Sequence, residues 1–306
     1  MKKMRRLIPA FAMLMVAAVM LSTASFAWFT IGTYATATGM SVTAEAASSL
    51  LIINGDKETG VEYTVNETDL RNAFNDADNT VKFDRAGENL QPATLTSEKK
   101  TVTIPGETGE EATTKEVTEY KIQTLKDATY VDHITGKLVN GYEFEDAAEN
   151  TNYVEYVAYI ASAGAQMGTA NGDSTLNVTV TLPEEIEYLN KAVTITFWVA
   201  DSETEEAEYR ASTTLLAVET AKAEGKSVTL DLGTKVIPEA VTEEGTDATG
   251  SPAYKTHYVK VYMRVYYDGA LVDDAFKGTD SEGTTYVRNE HVGASGAAFE
   301  VRFDFN

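Results

Sequence analysis

Hydrophobic and polar positions alternate along much of this chain, and the places where the alternation changes phase mark where it must bend. Phe29, Ile31, Thr33, Ala35 and Ala37 share one side of an extended chain, whereas after Gly39 the apolar set moves to Met40, Val42, Ala44 and Ala46. Strand side chains repeat every two residues, so a one-residue slip exchanges the buried and exposed faces. A glycine at the slip is where a bulge or a break is placed. The pattern predicts two strand-like pieces, 28–37 and 40–47, hinged at Gly39. Leu50-Leu51-Ile52-Ile53 before Asn54-Gly55 predicts a short buried strand ending in a turn.

From Tyr153 onward the strand pattern is strong. Tyr153 to Ile160, Thr175 to Leu182, Ala192 to Ala200, Ser227 to Leu232, Tyr258 to Tyr267 and Ala298 to Phe305 all alternate or run apolar, with turn clusters between them. Repeated strands without long helical patterns predict an all-β fold, an antiparallel sandwich of jelly-roll type with short helices. Residues 66–150 differ and read as a polar insertion. Thr68 to Phe74 has a capping residue and helical apolar spacing. Thr101–Ile104 and Val117–Ile122 flank a polar Pro-Gly break and predict a hairpin. Glu203 to Arg210 is predicted as a helical turn and Glu239 to Ser251 as a polar loop.

The first 27 residues have the order of a secretory signal. Lys2, Lys3, Arg5 and Arg6 precede an apolar run, Leu7 to Leu21, and Ser25 and Ala27 offer small residues at −3 and −1 of a cleavage point. The expected organisation is a signal peptide (1–27), an extended segment (28–38), and a domain (39–306) carrying the insertion. No second apolar run approaches the ~20 residues that span a bilayer, so release without a stable membrane anchor is expected. Formal charge is −22, falling to −26 when the four basic residues leave with the signal. A field of that sign repels nucleic acid and anionic membranes. The absence of cysteine rules out disulfides, thiolate metal sites and cysteine nucleophiles.

Little in the sequence points to reaction chemistry. His133, His257 and His291 are scattered, and Glu290-His291 is not part of an HExxH helix. No GxSxG elbow, phosphate loop or dinucleotide fingerprint occurs in a suitable setting. Asn75 to Asn79, and Asp273-Asp274 with Asp280, carry oxygen ligands suited to calcium, but neither fits an EF-hand loop. They read best as solvated acids. Asn66 and Asn177 are formal glycosylation acceptors, coincidental in a chain with a bacterial type of signal. No enzyme activity, metal or cofactor is expected. Tyr258, Tyr262 and Tyr266 share one face of a strand with Lys260 and Arg264, while Val259, Val261, Met263 and Val265 take the other. The valine-methionine face is the expected core. The tyrosine face is a candidate platform for stacking sugars, though a cover supplied by the insertion is the favoured reading.

The run Ser25-Phe26-Ala27-Trp28-Phe29-Thr30, followed by Ala35-Thr36-Ala37-Thr38-Gly39-Met40-Ser41-Val42-Thr43-Ala44, resembles the start of the TasA/camelysin family of exported Gram-positive proteins. That resemblance covers about residues 20–46 and is architectural beyond them; the long polar region at 66–150 departs from it. It implies processing by a SipW-type signal peptidase, secretion to the cell surface or biofilm matrix, a jelly-roll domain, and fibres in which the mature N-terminal strand completes a neighbour's sheet. The residues agree with such a homo-oligomer or filament. An extended segment, Trp28 to Ala37, that has one apolar face and is too short to fold alone is stabilised by adding to an open sheet edge, burying Phe29 and Ile31 while Ala35 and Ala37 permit close approach. The alternative is a monomeric extracellular module that binds matrix polysaccharide through Tyr258, Tyr262 and Tyr266.

Overall fold

The computed structural model describes residues 35–36, 40–47, 49–55, 67–76, 79–85, 89–104, 113–131, 138–168, 174–186, 188–202, 206–271, 277–279, 285–287 and 297–306. The chain begins with β1 (Ala35–Thr36), β2 (Met40–Ala46) and β3 (Leu50–Asn54), followed by helix α1 (Glu67–Asp76), β4 (Thr80–Arg85) and β5 (Asn89–Leu90). Three long strands come next, β6 (Thr94–Ile104), β7 (Thr113–Val131) and β8 (Leu138–Asp146). Then come β9 (Tyr153–Ser162), β10 (Met167–Gly168), β11 (Leu176–Thr181), a 3-10 turn (Tyr188–Ala192), β12 (Val193–Ala200) and β13 (Glu208–Thr214). Helix α2 (Leu215–Ala223) leads to β14 (Val228–Asp231), β15 (Val236–Ile237), β16 (Val241–Thr246), β17 (Pro252–Thr256) and β18 (Val259–Tyr267). The last strands are β19 (Lys277–Thr279), β20 (Thr285–Val287) and β21 (Ala298–Phe305).

Two five-stranded sheets, ordered β14-β11-β21-β2-β4 and β13-β12-β18-β9-β3, face each other across one core. Successive strands mostly cross from one sheet to the other, as a jelly-roll type of sandwich requires. The ladders are antiparallel except that β2 runs parallel to β21, from Ser41 opposite Ala298 to Ala46 opposite Phe303. The phase that starts after Gly39 is the one buried: Val42, Ala44 and Ala46 line the core. The other inward faces follow the same period, with Leu176, Val178 and Val180 on β11, Val259, Val261, Met263 and Val265 on β18, and Phe299, Val301 and Phe303 on β21.

The second sheet is buried on both faces. Every residue of β12 is buried, and β9 is buried from Tyr156 to Ser162. Helix α1, predicted at Thr68–Phe74, lays Leu70 and Phe74, four residues apart, on the outward side chains Val157, Tyr159 and Ala161 of β9. Farther along, Leu95 of β6 and Ile122 and Tyr120 of β7 cover Tyr266 and Trp198. The insertion is thus a lid for the sandwich. Beyond that contact it projects as two-stranded ribbons, because β7 pairs with β6 over 113–123 and with β8 over 123–131. Val102, Val117 and Phe144 are exposed there.

Two sequence expectations are corrected. The segment expected as a helical turn at Glu203 to Arg210 enters a strand from Glu208, because pairing with β12 overrides local helical spacing. The polar stretch Glu239 to Ser251 holds β16, which forms a hairpin with β17. Helix α2, which the periodicity did not announce, is set by its ends. Thr214 Oγ1 accepts from Ala217 N–H at 3.1 Å at the N-cap. At the other end Gly225 (φ +70°) takes the left-handed conformation, with Gly225 N–H donating to Lys222 O and Lys226 N–H to Ala221 O, a Schellman closure.

Two stability predictions follow from the core. Phe303 is fully buried between the sheets, so Phe303→Ala should destabilise the fold by about 3–5 kcal/mol, measured as the shift of the urea unfolding midpoint; a change within error would place the core elsewhere. The Tyr267 hydroxyl is buried without a hydrogen-bond partner among the described residues, and burial pushes its phenol well above the usual tyrosine range. An unfolded tyrosine ionises near pH ~10, so stability contributed by the neutral buried phenol is complete below that pH and is lost above it. Tyrosinate absorbance should therefore rise cooperatively with alkaline unfolding. Tyr267→Phe should shift that transition to higher pH while leaving neutral-pH stability equal or improved.

Candidate functional site

The cover over the second sheet is incomplete at one place. Between β7 and the outer face of β12, β13 and β18 lies a cleft of about 590 Å³. Its shape originates in a register shift. β12 and β13 pair Phe197 with Ala211 and then Trp198 with Tyr209, so Arg210 is an extra residue in β13. Such a bulge re-aims the side chains beyond it. Without it Tyr209 would point into the sandwich; with it, Tyr209 stands on the outer face beside Trp198. Arg210 instead donates from Nη2 to Asp201 Oδ2 at 2.9 Å.

The floor of the cleft is built from neighbouring strands. Trp198 and Tyr209 meet edge to face, with ring centroids 5.6 Å apart and planes at 75°. Tyr120 from β7 stacks on Tyr209 at 4.1 Å, joining the lid to the sandwich. Trp198 Nε1–H donates to Thr196 Oγ1 at 3.0 Å, and Tyr209 and Ser212 share a hydroxyl bond at 2.9 Å. Arg264 on β18 lies over Trp198 at 4.6 Å and over Tyr153 at 5.5 Å. Its Nε–H donates to Glu155 Oε2 at 2.5 Å, from the residue directly opposite on β9. Two aromatic faces and a carboxylate therefore hold the guanidinium in one orientation. Burial pushes the Tyr153 phenol up.

Charged groups stand at the rim. Lys100 and Lys121 both pair with Glu119, the latter at 3.2 Å. The hydrogen bond from Lys100, then that from Lys121, draws the Glu119 carboxyl below the usual carboxylate range. Asp146 accepts from Gln123 Nε2 at 3.1 Å, and Glu208 lies 3.5 Å from Arg210.

The tyrosine stripe read from the sequence is not this open surface. Its opposite face is the core, as expected, but the stripe itself is covered. Tyr266 is fully buried beneath Ala93 and Ile122. Tyr258 stacks on Tyr159 at 4.4 Å and lies 6.4 Å from Phe74 of α1. Tyr262, half-buried, belongs to both covered clusters. Of the two readings of Tyr258, Tyr262 and Tyr266, the structure has the favoured one, a covered seam, and the sugar platform is the one corrected, since α1 and the insertion strands pack on that face. Arg264, named with that face, is the member that reaches the cleft. Trp198 and Tyr209 were not singled out, and only the outward phase of Trp198 on β12 carried a signal.

The remaining candidates fall as follows. Ser25, Ala27, Trp28, Phe29, Ile31, Ala37 and Gly39 lie outside the described residues. Ala35 pairs with Leu90 and Thr36 with Asn89, so the end of the candidate donor segment is extended. His133, His291, Asn66, Asp273, Asp274 and Asp280 also lie outside the described residues. His257 bonds Thr242 Oγ1 through Nε2 at 2.9 Å, with Glu244 3.6 Å away. Asn177 sits within β11 and donates to Thr175 O at 3.2 Å. Among the described residues no group of three or more His, Asp or Glu side chains is placed to hold a metal ion. No family model, curated protein or solved structure matches this chain.

Proposed function

We propose that this chain is an exported, non-enzymatic structural protein of the cell surface or extracellular matrix. It assembles with further copies through the extended segment that precedes Gly39. The observation that carries this reading is the place of β2. Beginning at Met40, β2 lies inside its sheet with β21 on one side and β4 on the other, and its inward residues meet the core. The phase that starts at Met40 thus serves the sandwich, and the apolar set of the opposite phase, Phe29 and Ile31, is the one we assign to contact with a further copy.

Edge chemistry makes that partner a second sheet. The outer strands β4, β14, β13 and β3 each pair on one side only among the described residues. An unpaired edge offers backbone donors and acceptors to any extended chain. Burying Phe29 and Ile31 contributes roughly 1.5–3 kcal/mol each, repeated at every subunit junction. The small residues Ala35 and Ala37 suit a strand that must approach closely, and the absence of cysteine excludes disulfide links between copies.

Mature protein beginning at Trp28 should form filaments visible by electron microscopy, whereas a variant lacking residues 28–38 should fold and sediment as a monomer. Replacing Phe29 and Ile31 together by Ser should raise the concentration needed for assembly roughly a hundredfold or more, by the same burial arithmetic. Monomeric behaviour of both the mature and the shortened chain at high concentration would overturn the reading.

A further inference from the structure

We propose that the cleft between β7 and the outer face of β12, β13 and β18 binds a neutral hexose oligosaccharide. This site is separate from the segment that joins subunits.

The lining matches the two-sided chemistry of a pyranose. One side of the ring presents C–H groups that pack on aromatic rings, and its hydroxyls need both donors and acceptors. Tyr120 and Tyr209 are stacked on each other, and Trp198 is set edge-on to Tyr209 beneath Arg264, so the side of the tyrosine pair turned to the cleft is what a sugar ring packs on. Donors are in place as well. Arg264 has five N–H groups; Nε–H goes to Glu155, and the guanidinium that lines the cleft is clamped between Trp198 and Tyr153. A donor already fixed in orientation loses little conformational freedom on binding. Acceptors come from Glu208 and Asp146 at the walls.

Charge decides among ligand classes. Each cation of the cleft is matched by a carboxylate, Lys100 and Lys121 by Glu119 and Arg264 by Glu155, while Asp146, Glu206 and Glu208 add negative charge. On a chain of net charge −22 this disfavours nucleic acid and acidic polymers. A purely apolar ligand would desolvate those charges without replacing their hydrogen bonds. A neutral polyhydroxylated chain meets neither penalty. The volume of about 590 Å³ lies in the range of ligand-sized clefts.

The test is titration calorimetry of the full mature protein with cellohexaose, laminarihexaose and maltohexaose, each raised to millimolar concentration, alongside quenching of tryptophan fluorescence in a Trp28→Phe variant, in which Trp198 is the remaining tryptophan. Saturable binding of at least one is expected. Tyr209→Ala and Arg264→Lys should weaken it at least tenfold, whereas Tyr209→Phe, which keeps the stack, should retain most of it. Circular dichroism confirms that each variant is folded; should Tyr209→Ala unfold, Arg264→Lys and Glu208→Gln carry the comparison. Failure of all three sugars to bind, or binding unchanged in Arg264→Lys, overturns the proposal. So does saturable occupation of the cleft by a peptide of residues 28–38 with no response to sugar, which would assign it to an extended chain.

Discussion

Burial of both faces of one sheet is the constraint on which the rest of this structure depends. A sandwich needs only its inner faces covered, and the sheet β14-β11-β21-β2-β4 alternates accordingly, with Thr179 and Arg302 turned outward. The sheet β13-β12-β18-β9-β3 carries large apolar and aromatic groups outward too: Val157, Tyr159, Trp198, Tyr262 and Tyr266. Leaving that surface in water would forgo roughly 1.5–3 kcal/mol for each large side chain. Helix α1, the β16–β17 hairpin and the insertion strands exist, in energetic terms, to cover it.

The cleft follows from where that cover ends. The lid touches the sandwich through Leu95, Tyr120 and Ile122, and beyond them it becomes ribbons too narrow to pack. At the boundary Tyr120, Tyr209 and Trp198 pack on one another and an arginine is held over two rings. A bulge at Arg210 supplies the final ring by turning Tyr209 outward. A gap of mixed polarity at the edge of a cover is the usual physical setting of a binding site. The phase that begins at Met40 completes a sheet, so β2 serves the sandwich itself.

Much of the fold was legible because period-two patterning records burial directly. The inward sets on β2, β11, β18 and β21 are those the alternation assigns, and Leu70 and Phe74 follow helical spacing on α1. Legibility failed where burial was two-sided or where the ends, not the middle, decide an element. β13 read as a helical turn because Glu203 to Arg210 is polar and lacks alternation, and only its ladder with β12 makes it a strand. Helix α2 buries only Leu215 and Val218, too few positions to stand out, and depends on Thr214 and Gly225 at its ends.

By itself, the sequence determined the all-β class, the buried phase of β2 and the core face of each main strand. These are local properties, written in side-chain period and residue type. Tertiary structure alone decided that β2 pairs in parallel with the last strand, that α1 and the insertion cover the tyrosine stripe, and that Trp198, Tyr209, Tyr120 and Arg264 converge. Residues 120 and 264 line one cleft because the sheet β6-β7-β8 packs its side chains on a separate sheet, and one inserted residue sets which face Tyr209 takes. No periodicity encodes a register shift or the choice of a distant partner, so the cleft went unread.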